Sequence, residues 1–144
     1  NGTIGRIVMN ILFFLKPKGE CVYVYDEDSL RQVLDVMEAH RFASIPMISK
    51  STGAYKGTIT EGDLLWYIKN QHNLNLHSAK DIRIKDIKRH RDNQPVSVGA
   101  KMEDLFSKAV QQNFVPVIDG QKCFIGIITR KNIIEYLCEK TEKK

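Results

Sequence analysis

The sequence repeats one short pattern about 70 residues apart, and this repeat limits the possible folds more than any other feature. The first copy, GTITEGDLL, spans Gly57 to Leu65, and the second, GIITRKNII, spans Gly126 to Ile134. Each copy combines glycine and β-branched residues, typical of a strand end, with a polar segment that predicts a helix start. Prolines precede both copies at matching places, Pro46 and Pro116. The pattern predicts an internal duplication with two related structural units.

The first repeat reads as strand, helix, strand, turn, strand and helix. Its predicted strands are CVYVY, SIPMIS and GTIT, at residues 21–25, 44–49 and 57–60. Apolar residues at helical spacing predict two inward-facing helix surfaces, one on each helix. These residues are Leu30, Val33, Leu34 and Met37 in the first helix, and Leu64, Leu65 and Ile68 in EGDLLWYIKN, residues 61–70.

The second repeat contains the same elements in the same order. Its predicted strands are PVSV, FVPVI and CFIGIIT, at residues 95–98, 114–118 and 123–129. The first helix is predicted to bury Met102, Leu105, Phe106 and Ala109, and RKNIIEYLCEK forms the closing helix. The link from helix to strand is two residues shorter than in the first repeat, QNFVP against HRFASIP.

Neither repeat is large enough to form a stable core alone, since about 50 residues are marginal for an independent domain. We therefore expect an α/β fold in which each repeat forms a three-stranded sheet with two helices. The two repeats would pack about a pseudo-two-fold axis, with clefts where the equivalent corners approach each other. The predicted boundaries are an N-terminal segment 1–19, repeat 1 at 20–76, a basic linker 77–93 and repeat 2 at 94–144.

The N-terminal segment contains the longest apolar run, IVMNILFFL at residues 7–15, which is far too short to span a bilayer. It is predicted to be a helix or extended segment that packs on the domain. The sequence leaves open whether residues 1–8 are native, because Met9 would make a natural start. With no targeting signal recognised, the expected location is the cytoplasm.

Charge and cysteine content narrow the possible functions. Residues 80–93, KDIRIKDIKRHRDN, carry six Lys or Arg against three Asp and hold much of the net charge of +5. Such a stretch is usually a solvated helix face or linker, and nucleic-acid binding stays a less favoured alternative without a recognition motif. Cys21, Cys123 and Cys138 lack disulfide or zinc spacing and are expected to be buried, reduced thiols.

No catalytic constellation is recognisable. His40, His72, His77 and His90 lack the spacing of metal ligands and are expected at the surface or in the linker. Nucleophile elbows, Walker loops and dinucleotide fingerprints are absent from the sequence. Trp66 and Tyr67 are interpreted as helix packing rather than a stacking surface. The chain is therefore predicted not to be an enzyme, with no metal site and no required cofactor.

The duplicated corners offer binding chemistry with two interpretations. A Thr followed three residues later by Asp or Asn lies at a helix N-terminus, where free backbone N–H groups favour an anion. The carboxylate of Asp63 could accept both hydroxyls of a ribose, whereas Asn132 is a neutral and weaker acceptor. Arg130 and Lys131 could bind phosphate or could be exposed without a partner. Alternatively, Thr60 and Asp63 form only a capping box.

The order strand, helix, h-P-h-h, turn, G-h-h-T-x-x-D over residues of about 20 to 140 resembles the CBS domain, and two copies resemble a tandem CBS pair. The chain is similar to small stand-alone bacterial CBS-pair proteins. The resemblance implies a regulatory module that binds an adenine nucleotide, with each site drawing residues from both repeats. It also implies homodimers formed through the closing helices.

Carried over residue by residue, the resemblance implies two candidate sites. The site at the second corner would use Val22, Tyr23, Phe42, Ala43, Ser44, Ile45, Pro46, Thr129, Arg130, Lys131 and Asn132. The site at the first corner would use Thr60, Asp63, Val96, Phe114 and Val115. The shortened link beside Phe114 casts doubt on the wall of the first-corner site, and the second corner is slightly favoured.

The leading hypothesis is a non-catalytic sensor that binds AMP, ADP, ATP or cyclic di-AMP and regulates an unidentified protein. The main alternative is a ligand-free module for protein interaction or dimerisation. A third alternative is nucleic-acid binding through the basic linker, and no membrane partner is expected.

Overall fold

A computed structural model describes residues 10–71, 75 and 77–142 of the 144-residue chain. The strands of these residues are β1 (Lys16–Pro17), β2 (Val24–Tyr25), β3 (Ser44–Ile48), β4 (Tyr55–Thr60), β5 (Val96–Ser97), β6 (Phe114–Ile118) and β7 (Phe124–Thr129). The α-helices are α1 (Leu30–His40), α2 (Glu61–Lys69), α3 (Met102–Gln111) and α4 (Arg130–Glu142). Short 3-10 helices lie at Ile11–Phe14, Lys18–Glu20, Ser78–Asp81 and Ile84–Asp86.

The chain divides into two compact units. The central unit is Val22–Asp92, and the terminal unit combines Asn1–Cys21 with Asn93–Lys144. Each unit contains a sheet and two α-helices, as the mixed α/β fold class predicted, and the fold class is confirmed. The N-terminal segment therefore belongs with the second repeat rather than with the first repeat that follows it in sequence.

The central unit has the strand order β2-β3-β4. Strand β2 is parallel to β3, which is antiparallel to β4, so Ser44 at the start of β3 lies opposite Thr60 at the end of β4. Its core contains the fully buried residues Leu30, Val33, Ile45 and Ile59 together with apolar residues of the segment after α2. Among these, Ala79, Ile84 and Ile87 come from the predicted basic linker. The linker's apolar positions pack in the core while Lys80, Arg83, Lys85, Lys88 and Arg91 are exposed.

The terminal unit has the strand order β1-β7-β6-β5. Strand β1 pairs antiparallel with β7, joining Lys16 to Ile127 and Pro17 to Gly126. The predicted three-stranded sheet of the second repeat thus gains a fourth strand from the N-terminal segment. Ile11 is fully buried and Phe14 nearly so, both in the same core as Leu105, Val115 and Ile128. The prediction that this segment packs on the domain holds for residues 10–15, while residues 7–9 lie outside the described part.

Two apolar residues predicted to face the core are exposed instead. Leu65 in α2 keeps 61% of its surface exposed and Phe106 in α3 keeps 38%. Both helices bury a narrower face than their apolar pattern suggests: Leu64 is buried in α2, and Leu105 and Ala109 are buried in α3. Periodicity alone cannot distinguish the core-facing residues of a helix from neighbouring apolar residues at its edge.

None of Cys21, Cys123 and Cys138 forms a disulfide, but the prediction that all three are buried is wrong. Cys138 is exposed on α4, and Cys21 and Cys123 are half-buried. The thiol of Cys21 donates to the carbonyl oxygens of Lys16 and Pro17, both at 3.3 Å, and burial raises its pKa. In the described part of the chain, no helix has both the length and the apolar content that crossing a bilayer requires.

Candidate functional site

The first corner lies where β4 ends and α2 begins. Thr60 is the N-cap of α2, and its hydroxyl oxygen accepts a hydrogen bond from the Asp63 backbone N–H at 3.1 Å. In return, Oδ2 of Asp63 accepts from the Thr60 N–H at 3.0 Å, which completes a capping box. The Asp63 side chain is nearly inaccessible, since the residue is only 4% exposed.

The second oxygen of Asp63 also has a partner. Its Oδ1 accepts a hydrogen bond of 2.8 Å from the backbone N–H of His90, which lies 27 residues later in the sequence. The carboxylate therefore satisfies donors from two separate parts of the central unit. Sequence reasoning assigned His90 to the linker surface and missed this contact, because its side chain is exposed while its backbone is the interacting group.

The residues around His90 are held to the edge of β4 by an ion pair. Nε of Arg89 donates to Oδ1 of Asp92 at 2.8 Å, and the same oxygen accepts from the Thr58 backbone N–H at 2.9 Å. Nη2 of Arg89 donates to the Lys56 carbonyl oxygen at 3.3 Å. Two side chains thus occupy the hydrogen-bonding groups of a strand edge, where another strand would normally pair.

These contacts alter the ionisation of both partners. The hydrogen bond to Asp92 raises the pKa of Arg89 above its ordinary value. Burial alone would raise the pKa of the Asp92 carboxyl. It is outweighed by the hydrogen bonds from Arg89 and the Thr58 N–H and by the Arg89 charge, so the pKa of Asp92 is lowered. The ionised pair is therefore the form that the folded central unit favours.

A cavity of about 290 Å³ opens beside this corner. Trp66, interpreted from the sequence as helix packing, is 59% exposed and lies on the wall of the cavity. Tyr67 is half-buried and packs against the core, as its prediction states. The complete lining is Asp63, Trp66, Tyr67, Asn70, Gln71, Lys88 and His90.

The second corner, where β7 ends and α4 begins, is built differently. The Thr129 hydroxyl accepts from the Asn132 backbone N–H at 3.1 Å, as in the first corner. Asn132 is exposed, unlike its buried counterpart Asp63. The amide side chain is therefore open to solvent at the helix N-terminus, where an anion or a hydroxyl can approach it.

Arg130 makes a contact that neither sequence interpretation anticipated. Its Nε donates to the Ala109 carbonyl oxygen at 2.7 Å, and Nη2 lies 3.4 Å from the Val110 carbonyl oxygen. These carbonyls are in the last turn of α3, where a cation is favoured by the helix dipole. Lys131 is exposed beside it and offers a cation to solvent at the second corner.

The predicted wall residues lie beside the corner of their own unit. Ser44 pairs with Thr60 across the sheet, and the Ala43 carbonyl accepts from the Glu61 N–H at 2.9 Å. Phe42 is 43% exposed, whereas Ile45 and Pro46 are buried. Val22 and Tyr23 are half-buried directly before β2.

The equivalent residues of the terminal unit show the same arrangement. Phe114 pairs with Thr129, and the Asn113 carbonyl accepts from the Arg130 N–H at 3.0 Å. Val96 and Val115 belong to the core, and Phe114 is only 6% exposed. The side chains of Ile45, Val96 and Val115 are committed to packing, so any ligand contact there would use the backbone. The predicted grouping of wall residues from one repeat with the corner of the other stays a prediction.

The remaining candidates carry no site in the described part of the chain. His40, His77 and His90 are exposed, as predicted, while His72 lies outside the described residues. No group of three or more His, Cys, Asp or Glu among residues 10–71, 75 and 77–142 is arranged to hold a metal ion. In the basic stretch, Arg89 is paired with Asp92 and Lys85 with Glu27 at 3.0 Å, so part of its charge is neutralised.

Comparison with models of protein families identifies the family of this duplicated architecture. The model of the CBS domain matches twice, at residues 15–70 and 82–139. This chain belongs to the CBS-domain family. The two matches cover most of the sequence and confirm the predicted tandem pair. No match was found among curated protein sequences.

Solved structures of CBS-domain proteins share the fold. CbpB in complex with c-di-AMP has a TM-score of 0.82 at 24% identity, covering 100% of both chains. A CBS domain protein from Streptococcus pneumoniae TIGR4 has a TM-score of 0.78 at 24% identity, covering 90% of this chain and 86% of that one. CBSX2 in complex with AMP has a TM-score of 0.71 at 20% identity, covering 93% and 99%.

Proposed function

We propose that this CBS-pair protein is a non-catalytic sensor that binds an adenine nucleotide and regulates a partner protein. The observation that carries the proposal is the second corner, where the exposed residues Lys131 and Asn132 closely follow Thr129 at the N-terminus of α4. Backbone N–H groups, an amide and a cation together suit the phosphate and ribose of a nucleotide. CBS-domain structures of the same fold hold c-di-AMP and AMP, which supports this ligand class.

The two corners are unequal in this proposal. Asp63 carries the better acceptor for ribose hydroxyls, but it is buried and already accepts two hydrogen bonds. Asn132 is the weaker acceptor and is accessible. We therefore propose that the nucleotide binds first at the Thr129 corner. The other repeat contributes wall residues 22–23 and 42–46, as the family resemblance implies.

Calorimetry against AMP, ADP, ATP, cyclic di-AMP and S-adenosylmethionine tests the proposal. We expect binding of at least one of these ligands, and a complete absence of heat across the panel would rule out the sensor function. Mass spectrometry of protein purified without added ligand is a second test, because tightly bound nucleotides can co-purify.

Substitutions then distinguish the corners. Lys131→Gln is the better probe of the second corner, since Arg130 supports the end of α3 and its loss would also disturb that helix. We expect about tenfold weaker binding from the loss of one charged phosphate contact. Lys50→Gln, at an exposed lysine in the turn after β3, is the matched control and should bind as the wild type does. Equal effects of both substitutions would show that only overall charge matters.

Apolar surfaces on the helices favour a second role, which can coexist with ligand binding. A groove of about 330 Å³ between α3 and α4 is lined by Phe106, Ala109, Val110, Arg130, Ile133, Ile134 and Leu137. A second groove, of about 590 Å³, lies between α1 and α2 and includes the exposed Leu65. Val110 is 78% exposed, an unusual position for an aliphatic side chain beside other apolar groups.

We propose that a second copy of the chain covers these helix faces in a homodimer. Val110→Glu should dissociate the dimer in sedimentation velocity without unfolding the monomer, because most of the Val110 side chain lies outside the core. Gln111→Glu, an exposed position in the same helix, is the control for added charge. A wild-type protein that sediments as a monomer at all concentrations would contradict the dimer. A dimer that ignores every nucleotide would favour the ligand-free interaction module.

A further inference from the structure

The segment Arg89–Asp92, which we call the joining segment, leads directly into residue 93, where the terminal unit resumes. It has no helical or strand structure of its own. Three contacts with side chains fasten it to the central unit: His90 N–H to Asp63, Asp92 to the Thr58 N–H, and Arg89 to the Lys56 carbonyl. The position of this segment therefore depends on three side chains, one of which is the corner carboxylate of Asp63.

Asp63 cannot receive a ligand hydroxyl without a rearrangement. Each of its oxygens accepts one backbone N–H and keeps a second lone pair, but the residue is only 4% exposed, so the carboxylate is covered. The Thr60 N–H is fixed at the start of α2 by the capping box. The His90 N–H belongs to the irregular joining segment and is the donor that can move away.

We propose that the joining segment closes the Asp63 corner by an autoinhibitory contact. In the closed state the His90 N–H occupies the carboxylate oxygen that a ligand hydroxyl would use, on the wall of the cavity beside Trp66. A ligand with a vicinal diol binds at this corner by displacing the His90 N–H from Asp63. Its binding then loosens the segment that leads into the terminal unit. The ligand class rests on the proposed function, while the closure rests on the contacts of Asp63.

The second corner lacks this closure in the described structure. Asn132 is exposed, and the segment covering the β7 edge is held by backbone pairing at Lys16 and Pro17 rather than by the corner residue. The two corners should consequently respond differently to the same ligand. Binding at the Asp63 corner carries the cost of opening, which lowers its apparent affinity by the fraction of molecules that are open.

Hydrogen exchange of the whole protein, measured by mass spectrometry on peptides covering residues 88–92, tests the fastening without ligand. Arg89→Ala removes the anchor on the Lys56 carbonyl and the ion pair that positions Asp92, and leaves Asp63 intact, so we expect about tenfold faster exchange at the His90 amide. Asp63→Asn should have a similar effect through the weaker acceptor. Arg89→Lys keeps the charge but loses the planar guanidinium, and its exchange rate should fall between those of the wild type and Arg89→Ala.

AMP, which has a vicinal diol, tests the closure. We expect Arg89→Ala to bind AMP about threefold or more tightly at the Asp63 corner, because the open state no longer has to be reached. Adding Asp63→Asn to Arg89→Ala should abolish that gain. Saturating AMP should accelerate His90 exchange in the wild type, whereas 2′-deoxy-AMP, which lacks the diol, should not.

The outcomes separate the closure from the proposed function. Faster His90 exchange in Arg89→Ala with unchanged AMP affinity overturns the closure and leaves the sensor function standing. Binding to Arg89→Ala but not to the wild type supports the closure and contradicts AMP sensing by the unmodified protein. No AMP binding by any variant overturns the closure, and the sensor function falls with it only if the other nucleotides of the panel also fail to bind. If Arg89→Ala does not fold, Asp92→Asn weakens the same anchors and replaces it in every comparison.

Discussion

The central and terminal units cover the same edge of their sheets in different ways. In the terminal unit, strand β1 pairs its backbone with β7 at Ile127 and Gly126. In the central unit, the equivalent edge of β4 is covered by the side chains of Arg89 and Asp92. A backbone edge is independent of pH and hard to displace, whereas a side-chain edge can titrate and can be released by competing groups. A duplicated fold can thus keep one rigid half and one responsive half.

The largest expected effect comes from the glycines over which these segments pass. A Cβ on Gly126 would fall on the backbone carbonyl of Lys16, whereas a Cβ on Gly57 would meet the side chains of Asp92, at 2.5 Å, and Arg89, at 2.7 Å. Because backbone cannot swing aside, Gly126→Ala should cost about 3 kcal/mol or more and Gly57→Ala clearly less. Both glycines have positive φ, 153° and 157°, so the backbone strain of an alanine is similar at the two positions. The difference between the two stability losses therefore reports on the segment that covers each glycine. Urea unfolding measures it, and equal losses would contradict the distinction between the two edges.

The second comparison removes one buried residue from the segment preceding each repeat. Ile11 and Ile84 are both fully buried, the first in the terminal unit and the second in the central unit. Truncation to Ala should cost about 2–4 kcal/mol in either case. Peptide-resolved hydrogen exchange should show that Ile11→Ala weakens residues 93–142 first and Ile84→Ala weakens residues 22–92 first. The opposite pattern would mean that each segment stabilises the repeat that follows it in the sequence.

Acid should weaken the central edge selectively. The folded pKa of Asp92 lies below its unfolded value of about 3.9, so its contribution is fully present well above pH 4 and is lost as pH falls through the folded pKa. Asp92→Asn should lower stability at pH 7 by about 1–2 kcal/mol, since the partly exposed pair is screened by solvent. Once the pH lies below the folded pKa of Asp92, the mutant and the wild type should converge. Denaturant unfolding at several pH values measures this, and a constant difference across pH would assign the effect to packing.

The smallest expected effect makes the second corner resemble the first. Asn132→Asp places a negative charge in the first turn of α4, where the helix dipole and the Thr129 N–H favour it, and should stabilise by about 0.3–1 kcal/mol. Thermal unfolding at low salt measures the gain, which should shrink as salt increases. Glu135→Gln, at an exposed position later in the same helix, controls for the change in charge. A loss of stability would show that repulsion from nearby acidic groups outweighs the dipole.

Most elements were predictable because their signals are local. FVPVI matches β6 residue for residue, and α1 begins at Leu30, the first residue of its predicted apolar face. The duplicated corners were found from the repeated pattern around Thr60 and Thr129, since a hydroxyl at the N-cap followed by Asp or Asn three residues later is a recognisable spacing. The exposure of Leu65 and Phe106 was missed, because a helix pattern does not tell how wide the buried face is.

The sequence by itself determined the duplication, the order of strands and helices, and the chemistry of the two corners, because periodicity, capping residues and turn residues act over a few positions. Only the tertiary structure decided that the N-terminal segment completes the second repeat's sheet and that Asp63 accepts the His90 N–H. It also assigned Arg130 to the end of α3. These contacts join groups about 20 to more than 100 residues apart, and a backbone N–H or carbonyl partner leaves no trace in the residue type.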